Sequence, residues 1–253
     1  MPAHQGTAYF QAITALLLLS SWPAAGQAVT VYSPIVEQGE AAIEYQMDYN
    51  RDGDPAVNRG SRHQFEAGYG ITDRWKTALS AVYVDQPAGG YTYDRLKWEN
   101  IYQLFEQGEH WLDAGLYVEY QAPDAKRHAP DVLEFQLLLQ KSLPGDGAFP
   151  AMRHTLNLVL KRELGALATR GTGFGLAWQS MWSLSDAFRP GFEYYGEPGL
   201  INNFNAPQQQ SHQLGPVISG EIGRSLEYQL GWLYGLTRTS INGLFKLVVE
   251  YKF

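Results

Sequence analysis

The chain has 253 residues with 19 Lys and Arg against 26 Asp and Glu, a formal charge of −7. That acidic balance argues against a nucleic-acid partner, whose binding domains are basic, and the absence of Cys excludes a disulfide framework and thiol chemistry. What remains plentiful is aromatic: 16 Tyr and 7 Trp.

Residues 1–28 read as a secretory signal peptide. Ala12 to Trp22 is a short apolar run centred on Leu16, Leu17, Leu18 and Leu19, followed by Ala24, Ala25, Gly26 and Ala28. A cut after Ala28 fits the small-residue rule. The run is shorter than the roughly 20 residues a spanning helix needs, and no second long apolar run follows. The expected domain is therefore 29–253, with Val29 to Gly39 as a short periplasmic lead-in.

From Glu40 onward the chain alternates with period two, which places successive side chains on opposite faces of a strand. Glu40 to Tyr49 sets Ala41, Ile43, Tyr45, Met47 and Tyr49 against Glu44, Gln46 and Asp48. After a polar loop, Arg62 to Tyr69 sets His63, Phe65 and Tyr69 against Arg62, Gln64 and Glu66. The same pattern predicts strands over Trp75–Val84, Arg95–Phe105 (interrupted at Asn100), Trp111–Gln121, Asp131–Ser142, Met152–Lys161 and Thr172–Trp182. Phe188–Tyr195 is the weakest, because Pro190 and Gly191 lie within it. His212–Ile222, Leu226–Leu236 and Ile241–Phe253 complete twelve. Connections after even strands read as short turns and those after odd strands as longer loops, the last excepted, which is the asymmetry of outer-membrane barrels.

Alternation alone does not say whether the apolar face meets a core or lipid. Aromatic placement decides for lipid. Tyr69, Trp75, Phe105, Trp111, Trp182, Phe188, Tyr251 and Phe253 cluster at one end of the strands, and Tyr49, Tyr83, Tyr91, Tyr93, Tyr120, Tyr194, Tyr195 and Tyr234 at the other. Two such belts match the two interfaces of a bilayer. The fold class expected is all-β: a transmembrane antiparallel up-and-down β-barrel of about twelve strands in the bacterial outer membrane. Its lumen-facing residues would be Glu44, Asp48, Arg62, Glu66, Lys76, Arg95, Lys97, Glu99, Glu119, Glu134, Arg153, Lys161, Glu227, Lys246 and Glu250. Such a lumen is either filled by paired charges or a narrow polar channel for a small solute.

Two stretches resemble a known family. Gly68 to Trp75 (GYGITDRW) followed by Thr77 to Ser80 is similar to the strand–turn–strand repeat of the MetA-pathway phenol-degradation family of outer-membrane barrels. Tyr234-Gly235-Leu236-Thr237 and the strand to Phe253 resemble its closing hairpin. The resemblance implies a barrel that passes small solutes, aromatic molecules among them, and it carries no catalytic residues. The last strand also resembles the signal read by the barrel-assembly machinery, through Phe245, Leu247, Val249, Tyr251 and Phe253.

Enzymatic barrels place His and Ser two apart on a lipid-facing strand so that imidazole can activate the hydroxyl. Here His63, His154 and His212 are followed at plus two by Phe65, Leu156 and Leu214, so no enzyme is expected; a structural barrel without a pore and a lipid-modifying enzyme are the alternatives to a conduit. His110 near Glu106 and Glu109, and His128 near Asp124 and Asp131, lack ligand spacing on one face. Asn50 to Asp54 resembles the start of a calcium loop without its later Glu. No metal or cofactor is expected.

Overall fold

The computed structural model describes residues 30–87 and 89–253; the proposed signal peptide lies outside them. Twelve strands form the barrel wall: β1 (Ala41–Arg51), β2 (Ser61–Gly70), β3 (Trp75–Gln86), β4 (Gly90–Gln103), β5 (Asp113–Pro123), β6 (Asp131–Leu143), β7 (Ala151–Leu164), β8 (Gly173–Ser183), β9 (Arg189–Leu200), β11 (Ser211–Ile222), β12 (Leu226–Gly235) and β13 (Gly243–Lys252). The two-residue β10 (Asn203–Phe204) pairs only with β9. Every neighbouring pair is antiparallel. The wall closes because β13 pairs with β1 over ten positions, Ala42 opposite Lys252 through Arg51 opposite Gly243. Closure removes the unpaired edges that hydrocarbon would not tolerate. No described helix is long and apolar enough to cross a membrane.

The wall is inside out relative to a soluble barrel. Phe65, Leu79, Leu96, Trp98, Leu116, Phe135 and Phe192 are among its exposed side chains, while Gln64, Asn157 and Glu193 are wholly buried. The largest cluster of buried apolar side chains among the described residues is Leu233 with Leu244, packed against Tyr195. A wall whose apolar face stays uncovered matches lipid, not water, as the outer solvent.

Several expected boundaries move. Strand four begins at Gly90, not Arg95, because the β3–β4 register shifts between Val82 and Tyr83, leaving Asp94 as an extra residue. The bulge keeps Tyr91 and Tyr93 on the strand, beside Tyr83. Asn100, the polar interruption, accepts the Trp75 indole N–H at 3.1 Å. The strand expected over Phe188–Tyr195 runs to Leu200 despite Pro190 and Gly191, since partners on both sides, β8 and β11, hold it. The closing strand starts at Gly243, not Ile241. The contrast in loop length holds only in part: 104–112, at the end carrying Glu40, is longer than 87–89 at the far end.

The larger correction concerns the lead-in. Residues 30–38 do not trail away from the barrel; they fold back into it. Pro34 is fully buried and Val36 nearly so. Two glycines make room. A Cβ on Gly70 would stand 1.9 Å from the Glu37 carbonyl oxygen, and one on Gly115 would stand 3.0 Å from Pro34 Cβ.

A lumen lined by paired charges and an inner segment

The inner segment is held by side chains from strands far apart in the chain. Thr30 Oγ1 donates to Gln46 Oε1 at 3.1 Å. Asn157 clasps Tyr32 from both sides: its Oδ1 accepts the Tyr32 N–H at 2.7 Å, and its Nδ2 donates to the Tyr32 carbonyl at 2.9 Å. Ser33 reaches Gln140 at 3.2 Å, and Gln103 Oε1 accepts the Val36 N–H at 2.8 Å. The Tyr32 ring stacks on Tyr117 with centroids 4.5 Å apart. A segment without sheet neighbours relies on such partners, and five wall strands, β1, β4, β5, β6 and β7, supply them.

The residues expected in the lumen fall into three groups by their contacts. In the first, Lys246 Nζ lies 2.8 Å from Glu193 Oε2 and 3.1 Å from the Tyr195 hydroxyl. Glu193 also accepts Gln179 at 2.7 Å and Gln229 at 3.1 Å. Each charge is compensated where water is scarce, the condition under which buried ion pairs persist. Nearby, Arg62 pairs with Asp48 at 3.4 Å. In the second group, Lys97 sits between Glu99, at 3.3 Å, and Glu119, and the Tyr117 hydroxyl lies 2.8 Å from Glu99 and 2.6 Å from Glu119. Lys161 joins Glu134 at 3.3 Å and Glu197 at 4.0 Å. Arg95 bonds Asp94 and Gln121 toward the far end. In the third group, Glu44, Glu66, Lys76, Arg153, Glu227 and Glu250 line a cavity of about 470 Å³ between the inner segment and the wall.

Gln64 and Glu193, both on the polar parity that the sequence turns inward, complete these networks. Tyr195, expected in the aromatic belt, instead aims its hydroxyl inward at Glu193 and Lys246, because it shares the parity of Glu193. Tyr32 carried no signal, because its segment has no periodicity.

The outward histidines are occupied. His63 Nε2 lies 2.9 Å from Ser61 Oγ and its Nδ1 lies 2.7 Å from the Tyr45 hydroxyl; the serine is at minus two, not plus two. His154 Nδ1 meets Ser180, and His212 Nδ1 meets the Tyr194 hydroxyl at 2.7 Å. Aromatic rings surround the first and stack on the third: Tyr83, Tyr91 and Phe65 group around His63 and Tyr45, and Tyr194 stacks on His212. Among the described residues no group of His, Asp and Glu is arranged to hold a metal. Asp52 and Asp54 are committed to the backbone N–H groups of Asp54, Ala56 and Asn242.

No protein-family model and no curated protein matches the sequence. Solved structures do. The KdgM porin covers 84% of this chain and 99% of its own at a TM-score of 0.56 and 8% identity. The NanC porin covers 83% and 100% at 0.59 and 8%. The COG4313 outer-membrane channel from Pseudomonas putida F1 covers 90% and 99% at 0.57 and 12%. At such identities the likeness speaks for the fold, and the fold is a twelve-stranded porin-like β-barrel of the outer-membrane kind.

Proposed function

We propose that the protein spans the bacterial outer membrane as a passive conduit for a small solute, with both ends of the wall at Ala41 and Lys252 on the periplasmic side. The observation that carries this reading is the pairing of an apolar outer wall with a lumen lined along its length by charged and amide side chains. A merely structural barrel has no need of a polar-lined cavity of about 470 Å³ opening beside Glu40 and Lys252. The inner segment narrows the path, so the solute is small; the aromatic members of the lumen, Tyr32, Tyr117 and Tyr195, support an aromatic molecule as the finer reading, in line with the resemblance carried by Gly68 to Ser80 and Tyr234 to Phe253. Passage of this kind is passive, and the His63–Ser61 and His154–Ser180 contacts lack the plus-two spacing of the enzymatic barrels.

Planar-bilayer recording on the purified barrel tests the proposal. Discrete conductance steps are expected. A barrel that inserts and stays silent would instead support the second reading, a structural barrel closed by residues 30–38.

Outer-membrane lipid is the partner of the wall, and the assembly machinery is the proposed reader of the closing strand. Phe253 is largely exposed and packs edge-on against Tyr251 at 5.1 Å. Phe245, Leu247, Val249 and Tyr251 lie opposite Tyr49, Met47, Tyr45 and Ile43 of β1. The variant Phe253→Ala is expected to lower the amount of heat-modifiable barrel in membranes while leaving the conductance of assembled molecules unchanged. Normal membrane levels of the variant would refute the assembly role.

A further inference from the structure

The register of the wall gathers its carboxylates into a band. On five consecutive strands Glu66, Glu44, Glu250, Glu227 and Glu221 stand directly opposite one another: Glu44 opposite both Glu66 and Glu250, Glu227 opposite both Glu250 and Glu221. A second row, Glu99, Glu119 and Glu134, occupies β4 to β6 in the same manner. Ser80 joins the two rows, its Oγ lying 3.0 Å from Glu66 and 2.6 Å from Glu99.

Like charges directly opposite each other weaken a sheet, and neighbouring strands are only about 4.8 Å apart. The arrangement therefore costs stability wherever two of these carboxylates face each other without a cation between them. Some of the charge is offset. Lys252 contacts Glu40, Glu227 and Glu250, Arg189 contacts Glu221 at 2.8 Å, and Lys97 and Lys161 serve the second row. Glu44 and Glu66, at the centre of the first row, have no ion-pair partner among the described residues; they accept only from Gln46, Gln64 and Ser80. Lys76 and Arg153 line the same cavity, and the carboxylates around it still outnumber the cations.

A second observation points the same way and does not depend on the register. Gln136 is only 6% exposed, and its Nε2 donates to Glu134 at 2.6 Å, yet its Oε1 has no partner. A buried acceptor without a donor is costly. Gln136 Oε1 thus adds an unfilled acceptor beside the second row, while the other buried atom without a partner among the described residues, Arg189 Nε, belongs to a guanidinium already paired with Glu221 of the first row.

We propose that this band is a charge filter: the conduit admits cations and repels anions, so that its natural solute is a small cation or a neutral molecule with hydrogen-bond donors. The inference rests on the conduit reading above. Rings of Asp and Glu are the general device by which pores select cations.

The test is the reversal potential of the purified barrel in a potassium chloride gradient. A potassium-over-chloride permeability ratio of roughly fivefold or more is expected, the order that one unit charge about 4 Å away contributes in bulk water. The double variant Glu44→Gln with Glu66→Gln keeps every described amide and hydroxyl contact in reach and removes two charges that lack cationic partners; it should bring the ratio toward one without loss of heat-modifiable barrel. Conductance with a ratio at or below one, or a double variant as selective as the parent, overturns the filter and leaves the conduit standing. A silent barrel overturns both.

Discussion

Deleting residues 30–38 is expected to raise single-channel conductance several-fold while the barrel still assembles. The segment is not part of the wall: it is held by hydrogen bonds that Gln46, Gln103, Gln140 and Glu99 accept, by the two-way bonding of Asn157 with Tyr32, and by the stacking of Tyr32 on Tyr117. Once it is gone, those amides face water, which satisfies them at little cost. The wall keeps all twelve strands. A graded version uses Asn157→Ala, which removes both hydrogen bonds to Tyr32 and leaves its half-buried N–H and carbonyl short of partners, a loss of up to about 1–3 kcal/mol for each group that water does not reach. Gly70→Ala acts at the root of the segment, since the new methyl group would collide with the Glu37 carbonyl. Both variants should show noisier, larger openings than the parent. Unchanged conductance in the deletion would mean that the lumen is limited elsewhere.

The variant Lys246→Met should be the most destabilising single change in the lumen, by about 3–5 kcal/mol. Lys246 is 1% exposed and its partner Glu193 is fully buried. Removing the ammonium leaves a carboxylate held by Gln179, Gln229 and Tyr195 but without a countercharge. The loss is read as a fall in the urea concentration that abolishes heat-modifiable mobility. Combining it with Glu193→Gln should recover a large part, because the uncompensated charge is then gone. If the double variant were no better than the single one, packing and not charge would explain the loss.

Different parts of this molecule were legible to different degrees. Alternation in β1, β2, β5 and β12 is nearly unbroken, and a period of two leaves no freedom about which side chains share a face. The polar parity was therefore readable residue by residue, from Glu44 and Asp48 to Lys246 and Glu250. Irregular strands were harder. The weak pattern around Pro190 and Gly191 hid a strand that two neighbours stabilise, and the extra residue at Asp94 hid the first turn of β4, because a bulge shifts parity without any mark in composition.

What the chain determined on its own was thus local: strand after strand, which face is apolar, where aromatic rings meet the interface, and that a dozen such strands suffice to close a wall. Which charges become neighbours was decided only by tertiary structure. Register between strands placed Glu44 opposite Glu66 and Glu250, and a slip of one residue would have turned the whole set toward lipid. The position of residues 30–38 was decided there too. Tyr32 meets Asn157 across 125 positions of sequence, through hydrogen bonds that have no periodicity and exist only once the barrel has closed around the segment.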